Sequence, residues 1–409
     1  MFEFLKILIK KNPYLFKTIS LIFYFNWRIR KILKYRILDR ETLKRRTNDF
    51  SYCEYSKKSS TSYYEPISVD GVLSDQIKYF INKTFDLPPS FYNVFENVNL
   101  IGPEAVGVLE KGDILVETAG GSINILDKCS PKLFTNPQNL DVEKEYDCAS
   151  VFITPWINNT NQNYFHWFAE CLLLIEALDH YRNNSGITPI VIINDNPKRY
   201  QLESLKLLGY DLKYISKWKY NMVKVRSLVV PSLRRQRFNW VDIYYPNALF
   251  WLRDKLKRST HITENTYSSN IFISREKSEG RQIINYDEFN SCLKKYNFES
   301  YCLEDIKFSD QITMFSSAKN IIAAHGAGLI NIIFSSNVNI IEIFGSPPVH
   351  YTEYYRIAQN LGHNYSILFC DYSFDNYKIN QSSYYKEHDL IINISDLEIL
   401  IKKLNMDCS

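Results

Sequence analysis

From residue 270 to residue 369, short apolar runs at 270–274, 299–303, 320–324, 339–344 and 365–369 alternate with helical patterns at 286–296, 309–319, 327–335 and 351–361. That alternation leaves few folds open. Continuous apolar strands separated by helical crossovers pair in one direction and need cover on both faces, which is the pattern of a parallel α/β sheet. The stretch before it repeats the logic with strands at 150–154, 189–194 and 226–230 and helices at 163–182, 199–208 and 243–258. Residues 113–118, Gly120-Gly121 and 122–127 read as a hairpin, 51–64 as a polar linker and 259–269 as a connection. The expected fold class is therefore α/β, with two Rossmann-like units over 51–258 and 259–409 behind an N-terminal arm, 1–50. Ligands of such sheets lie beyond the carboxyl ends of the strands, so the loops after 274, 324 and 344 are where chemistry is expected.

A length of 409 residues suits two or three compact units, and 45% apolar with 23% charged residues excludes long disorder, collagen and disulfide-knot classes. The eight cysteines (Cys53, Cys129, Cys148, Cys171, Cys292, Cys302, Cys370 and Cys408) form no C-x-x-C pair and no Cys/His cluster at zinc spacing. No metal is expected, and scattered thiols suit a reducing, cytoplasmic compartment. The sequence contains no cleavable signal pattern and no apolar run of 18 residues.

The charge is uneven. Residues 1–50 hold thirteen Lys/Arg against four Asp/Glu, a net of +9, which leaves −5 for the other 359 residues. Within this arm an apolar patch from Tyr14 to Trp27 is flanked by Lys6, Lys10 and Lys11 and by Arg28, Arg30, Lys31, Lys34 and Arg36. Two readings stay open: a helical arm docked on the body with a solvated basic face, or a peripheral contact with an anionic membrane, where each cation adds about 1 kcal/mol. Nucleic acid is not an expected partner, because the rest of the chain lacks a basic stripe with interleaved aromatics.

Three constellations carry chemistry. In Asn320-Ile-Ile-Ala-Ala-His325-Gly326-Ala327-Gly328-Leu-Ile-Asn331 an apolar strand runs into a small-residue turn that opens a helix, presenting free N–H groups and a positive dipole end to an anion. In Ser274-Arg275-Glu-Lys277-Ser-Glu-Gly280-Arg281 three cations follow a strand end, and Arg275 and Lys277 reach for the same anion. In Asn163-Tyr-Phe-His166-Trp-Phe-Ala-Glu170, His166 and Glu170 stand at i and i+4 on one helix face, so a carboxylate can orient an imidazole that takes a proton from a hydroxyl. A Gly-x-Gly-x-x-Gly fingerprint near the first strand is missing, which argues against a dinucleotide oxidoreductase.

The order of these pieces resembles glycosyltransferase family 61: Asn163-Tyr-Phe-His166-Trp, then Ser274-Arg275 with Arg281 and Asn285, then Phe308-Ser-Asp310-Gln311, His325-Gly-Ala-Gly328-Leu-x-Asn331 and Ile341-Glu342. The resemblance spans about residues 150–365. It implies a GT-B fold whose two domains face across a cleft, and inverting, metal-independent transfer of a sugar from a nucleotide-sugar donor, UDP-linked, to a glycan or lipid-linked glycan acceptor. It implies no cofactor beyond that co-substrate. Carried onto this chain, His166 is the candidate base, with Glu170 in its place if the histidine is structural. Arg275, Lys277, Arg281 and the turn His325-Gly326-Ala327-Gly328 would hold the diphosphate, with Asn331 and Glu342 nearby, and the loop Gly345–Tyr351 would select the sugar. The resemblance and the basic arm together imply capsule or surface-polysaccharide synthesis at the inner membrane face. The competing reading is a glycan-binding assembly factor of the same fold that has lost catalysis.

Overall fold

The computed structural model describes residues 37–38, 52–110, 112–121, 141–238, 241–260, 266–278, 280–345, 351–372 and 389–406. Nearly all of the basic arm, the second hairpin arm at 122–127 and residues 346–350 of the expected selectivity loop lie outside the described residues.

In the first sheet, β1 (Ser90–Ile101) pairs antiparallel with β5 (Met222–Pro231). Beyond β5 lie β2 (Lys144–Val151), β3 (Ile190–Asn194) and β4 (Ile215–Trp218), all parallel, in the spatial order β5-β2-β3-β4. The parallel half matches the apolar runs. The antiparallel strand β1 escapes that pattern because Asn93, Glu96, Asn97 and Asn99 interrupt it, and Asn97 sits at φ 52°. A hairpin, β6 (Arg235–Phe238) with β7 (Val241–Tyr244), follows β5.

Two expectations are corrected. Residues 51–64 are not a linker over their described part: Tyr52–Ser56 pairs with β1, and Ser59–Tyr63 pairs with Lys83–Leu87. The second of these strands buries Thr61 and Tyr63 on alternate positions, a period-two pattern carried by a hydroxyl and a phenol rather than aliphatics. The first hairpin arm is only Ile114–Leu115; the chain then turns into a 3-10 helix, Val116–Ala119, closed by Gly120 at φ 66°.

The second sheet is parallel throughout β8 (Asn270–Ser274), β9 (Glu299–Cys302), β10 (Asn320–Ala324), β11 (Asn339–Gly345) and β12 (Asn364–Tyr372). Its order is β9-β8-β10-β11-β12. The winding therefore reverses between β8 and β10, and the crossovers on either side part there to leave a crevice at the carboxyl ends of those two strands. Ile67–Ser68 adds to the far edge, parallel to β12, and Thr61 Oγ1 donates to Asn360 Oδ1 at 2.7 Å. Residues 59–68 thus pack on the second sheet although they precede the first in sequence.

One hydrophobic cluster runs from Tyr63 and Phe80 through Trp167, Phe168 and Leu172 to Phe308, Phe334 and Tyr355. Phe168 meets Phe308 at 5.3 Å between ring centroids, and Phe308 meets Phe334 at 6.0 Å. Each such ring removed from water contributes on the order of 1.5–3 kcal/mol, so the two sheets are joined by a shared core. The helical run that supplies Trp167 and Phe168 is irregular: α over Tyr164–His166, π over Trp167–Cys171, 3-10 over Leu172–Leu174 and α again over Ile175–Ser185. Single π turns of this kind often accompany functional sites.

Candidate functional site

Two cavities meet at the turn that follows β10. The first, about 420 Å³, is lined from the first half of the chain by Asn163, His166 and Asp242, and from the second by Arg281, His325 and Arg356 among others. The second, about 450 Å³, lies over the reversal point of the second sheet, between Ser274-Arg275 and Gly328, with Tyr164, Tyr200 and Phe308 as an aromatic wall. Gly326 and Ala327 line both.

His166 stands at the start of the irregular helix. Asn163 Oδ1 accepts from the His166 backbone N–H at 3.3 Å, which caps the first turn and fixes where the imidazole projects. Nδ1 lies 2.7 Å from Glu170 Oε1, and the half-exposed Trp156 stacks on the ring at 5.0 Å with an interplanar angle of 10°. Burial alone would push the Glu170 carboxyl up; the Arg235 charge and the His166 hydrogen bond reverse that and hold it below its ordinary value. A carboxylate on Nδ1 leaves Nε2, which makes no hydrogen bond among the described residues, as the nitrogen able to accept a proton.

The anion-binding expectation separates its residues. Arg275 and Arg281 are half-buried and neither forms an ion pair with a carboxylate among the described residues. Burial, and then the neighbouring Arg281 charge, push Arg275 down to about 10; burial likewise lowers Arg281. Arg275 makes only long bonds of 3.4 Å to the Gly280 carbonyl, and Arg281 donates from Nη1 to the His325 carbonyl while its Nε has no partner. Arg281 also holds φ at 58°, a conformation that costs a non-glycine residue energy and clusters at functional sites. Two half-buried like charges side by side are unfavourable unless an anion completes them. Gly326 is what lets the backbone approach: a Cβ there would sit 2.3 Å from Arg275 Nη1.

Other expected residues take different places. Lys277 is exposed and lines neither cavity; its ammonium pairs at 2.5 Å with Asp305, an exposed carboxylate on the rim of the second cavity. Asn331 is fully buried and lines neither cavity: Nδ2 donates to Gln311 Oε1 at 2.9 Å and Oδ1 accepts from Tyr164 Oη at 2.8 Å. It ties three helical segments together instead of facing a ligand. Glu342 is buried behind His325, 2.6 Å from its Nδ1, and accepts from Tyr365 Oη. His325 lines the first cavity with its ring between Phe344 and Tyr351. The helix after the turn, Ala327–Phe334, is 3-10.

Sequence reasoning missed Asp242 and Arg235 on the hairpin and Glu353 and Arg356 after β11. Arg356 Nη2 lies 3.6 Å from Glu353 Oε1, and Nη1 donates to the Asp242 carbonyl, closing the floor of the first cavity. Only Trp156, an aromatic one turn-loop before a candidate base, offered a signal. Among the described residues no group of three His, Cys, Asp or Glu side chains is placed to hold a metal, and no helix is long and apolar enough to cross a membrane.

Residues 164–341 match the family model Glycosyltransferase 61. The matched stretch contains His166, Arg275, Arg281 and the Gly326 turn, and it supports that family, and with it a glycosyltransferase acting on glycans. No curated protein matches the chain.

Proposed function

We propose that this glycosyltransferase inverts: one displacement moves a sugar from a nucleoside-diphosphate sugar, UDP-linked, to a hydroxyl of a glycan acceptor. The observation that carries the reading is the pair of half-buried guanidiniums, Arg275 and Arg281, without carboxylate ion-pair partners among the described residues, beside the backbone of Gly326. Guanidinium binds phosphate oxygens through paired N–H donors, and in a dry crevice each such bond is stronger than in water. The nucleoside would occupy the second cavity, its base against Tyr200 and Phe308, and the sugar would enter the first cavity past Gly326-Ala327. The reading takes the fold as GT-B, with units at about 51–258 and 259–409 that share a core and with residues 59–68 packed on the second sheet.

In the step proposed, His166 Nε2 takes the acceptor hydroxyl proton as the oxygen attacks C1. The bond from C1 to the phosphate oxygen breaks, and the diphosphate leaves with the electron pair. Arg275, Arg281 and the N–H groups after Gly326 meet its growing charge, an effect worth ~10² to 10³ in rate for one such donor. No metal is needed for this balance of charge. The basic arm at 1–50, of which only residues 37–38 are described, would hold the enzyme to the anionic inner face of a membrane where a lipid-linked acceptor of surface-polysaccharide synthesis is presented.

A thermal-shift screen of nucleotide sugars tests the donor: a ligand at ~100 times its dissociation constant adds about 2.7 kcal/mol to the folded state. Stabilisation by UDP and its sugars is expected. No response to any nucleoside diphosphate would end the donor assignment, whereas binding without cleavage or transfer of the bound sugar would favour the non-catalytic assembly factor.

A further inference from the structure

A buried arginine stands behind the His166–Glu170 pair. Arg235, on β6, has a side chain only 12% exposed, with Nη1 3.6 Å from Glu170 Oε1 and 2.5 Å from Asp242 Oδ2. Its Nη2 donates to the Gly120 carbonyl at 2.9 Å. It lines neither cavity, so no substrate reaches it. Glu170 needs it: the carboxyl is 3% exposed and Oε2 has no hydrogen-bond partner.

We infer that Arg235 is a positioning residue for the base: its charge keeps Glu170 ionised against Nδ1 of His166, so that the ring carries its proton on Nδ1 and presents Nε2 to the cavity. The role depends on the reading of His166 as base. A Glu170 left without that cation, in a site this dry, would hold a proton of its own and donate it to Nδ1. The ring proton would then sit on Nε2, and a nitrogen that already bears hydrogen cannot take another from an acceptor hydroxyl. The other charged groups facing the pair are Asp242 and Arg237 from the hairpin and, across the cavity, Arg281, His325, Glu353 and Arg356. Asp242 shares Arg235, at 2.5 Å, with the exposed Arg237 at 3.7 Å, and Glu353 has Arg356 at 3.6 Å; among the described residues Arg235 is the arginine within contact distance of Glu170, at 3.6 Å.

The test reads the tautomer directly. Nitrogen NMR of the imidazoles in the full chain, with the His166 signals identified by their loss in H166A, is recorded for wild type, R235M and R235K. Nδ1–H is expected in wild type and R235K, and Nε2–H in R235M. A folded R235M with the wild-type tautomer overturns the proposal, as does a wild-type ring that bears its proton on Nε2. Should R235M not fold, R235Q takes its place with the same expectation. In turnover, R235M is expected to lose about tenfold to a hundredfold in kcat with donor KM unchanged, and R235K to recover most of it, since a positioned base supplies ~10² to 10⁴. The tautomer needs no substrate: a switch in R235M together with full turnover in H166A would remove His166 as the base and leave the Arg235 coupling standing.

Discussion

The cleft holds two histidine–glutamate pairs of nearly the same geometry, one from each half of the chain, and their electrostatics are opposite. His166 Nδ1 lies 2.7 Å from Glu170, and His325 Nδ1 lies 2.6 Å from Glu342. Both carboxyls are buried. Arg235 at 3.6 Å overcomes that burial at Glu170 and holds it below its ordinary value. At Glu342 burial wins, and the carboxyl is pushed well above its ordinary value against only the Tyr365 hydrogen bond and a more distant Arg281. An ionised Glu170 accepts the Nδ1 proton and leaves Nε2 as a base. A Glu342 pushed toward its neutral form by burial would donate to Nδ1 and set the His325 proton on Nε2, the donor that the proposed anionic ligand beside Gly326 would meet. The distance between partners says nothing of this difference; the third group behind each pair decides it.

The sharpest way to break the comparison is to delete each imidazole. H166A is expected to lose about 10² to 10⁴ in kcat while calorimetric affinity for a nucleoside diphosphate stays within a factor of about two. H325A is expected to weaken that affinity and spare more of the turnover measured at saturating donor. If H325A shows the larger loss of kcat with unchanged affinity, the two roles are reversed.

Next in size is the proposed anion site at Arg275 and Arg281. R275M removes a charge-assisted contact worth about 1.5–3 kcal/mol, so nucleoside-diphosphate affinity is expected to fall about tenfold to a hundredfold. Because it also removes one of two half-buried like charges, the ligand-free melting temperature is expected to hold or rise. A lower melting temperature with intact affinity would mean that Arg275 braces the loop and leaves the anion to other groups.

The neutral isosteres sharpen the contrast in stability. E170Q leaves Arg235 with Asp242 alone and is expected to cost about 1–3 kcal/mol in denaturant unfolding, along with most of the turnover. E342Q replaces a carboxyl that burial pushes toward its neutral form and is expected to cost under about 1 kcal/mol. Equal costs would show that Glu342 is ionised after all.

What could be read in advance follows from which residues speak locally. The inner strands β8, β10 and β11 are buried almost throughout, so their apolar runs were visible to within a residue, whereas the exposed edge strand β9 carries no such run and β12 extends three residues past its expected end. His166 and Glu170 were visible because i and i+4 meet on a helix, and the contact survives although a π turn carries it. Arg235 and Asp242 gave no such sign: they lie on a polar hairpin, and their meaning arises only when β6 folds against the irregular helix. Lys277 and Arg281 looked alike as cations in one loop, yet the backbone turns Arg281 into the crevice at positive φ and leaves Lys277 to Asp305. Asn331 was expected near the donor and lines neither cavity, since a sequence cannot say which face of a short helix meets a neighbouring tyrosine.

A third histidine, this one buried, supplies the control for both pairs, because among the described residues it has no carboxylate partner. His363 is 3% exposed, its Nε2 donates to the Ile332 carbonyl at 3.0 Å and its Nδ1 has no partner. Burial pushes it down to about 4 from an ordinary value of 6.5. The folded state therefore refuses a proton that the unfolded chain accepts as pH falls below 6.5, so this residue's contribution is intact above that value. Between 6.5 and about 4 it is lost, at up to about 1.4 kcal/mol per pH unit. Subtracting the unfolding free energies of H363Q from those of wild type across this window isolates the slope from the carboxylates that titrate nearby, and the difference is expected to shrink as pH drops. A flat difference would mean that His363 is solvated enough to charge in place, and that burial alone does not set the state of an imidazole in this fold.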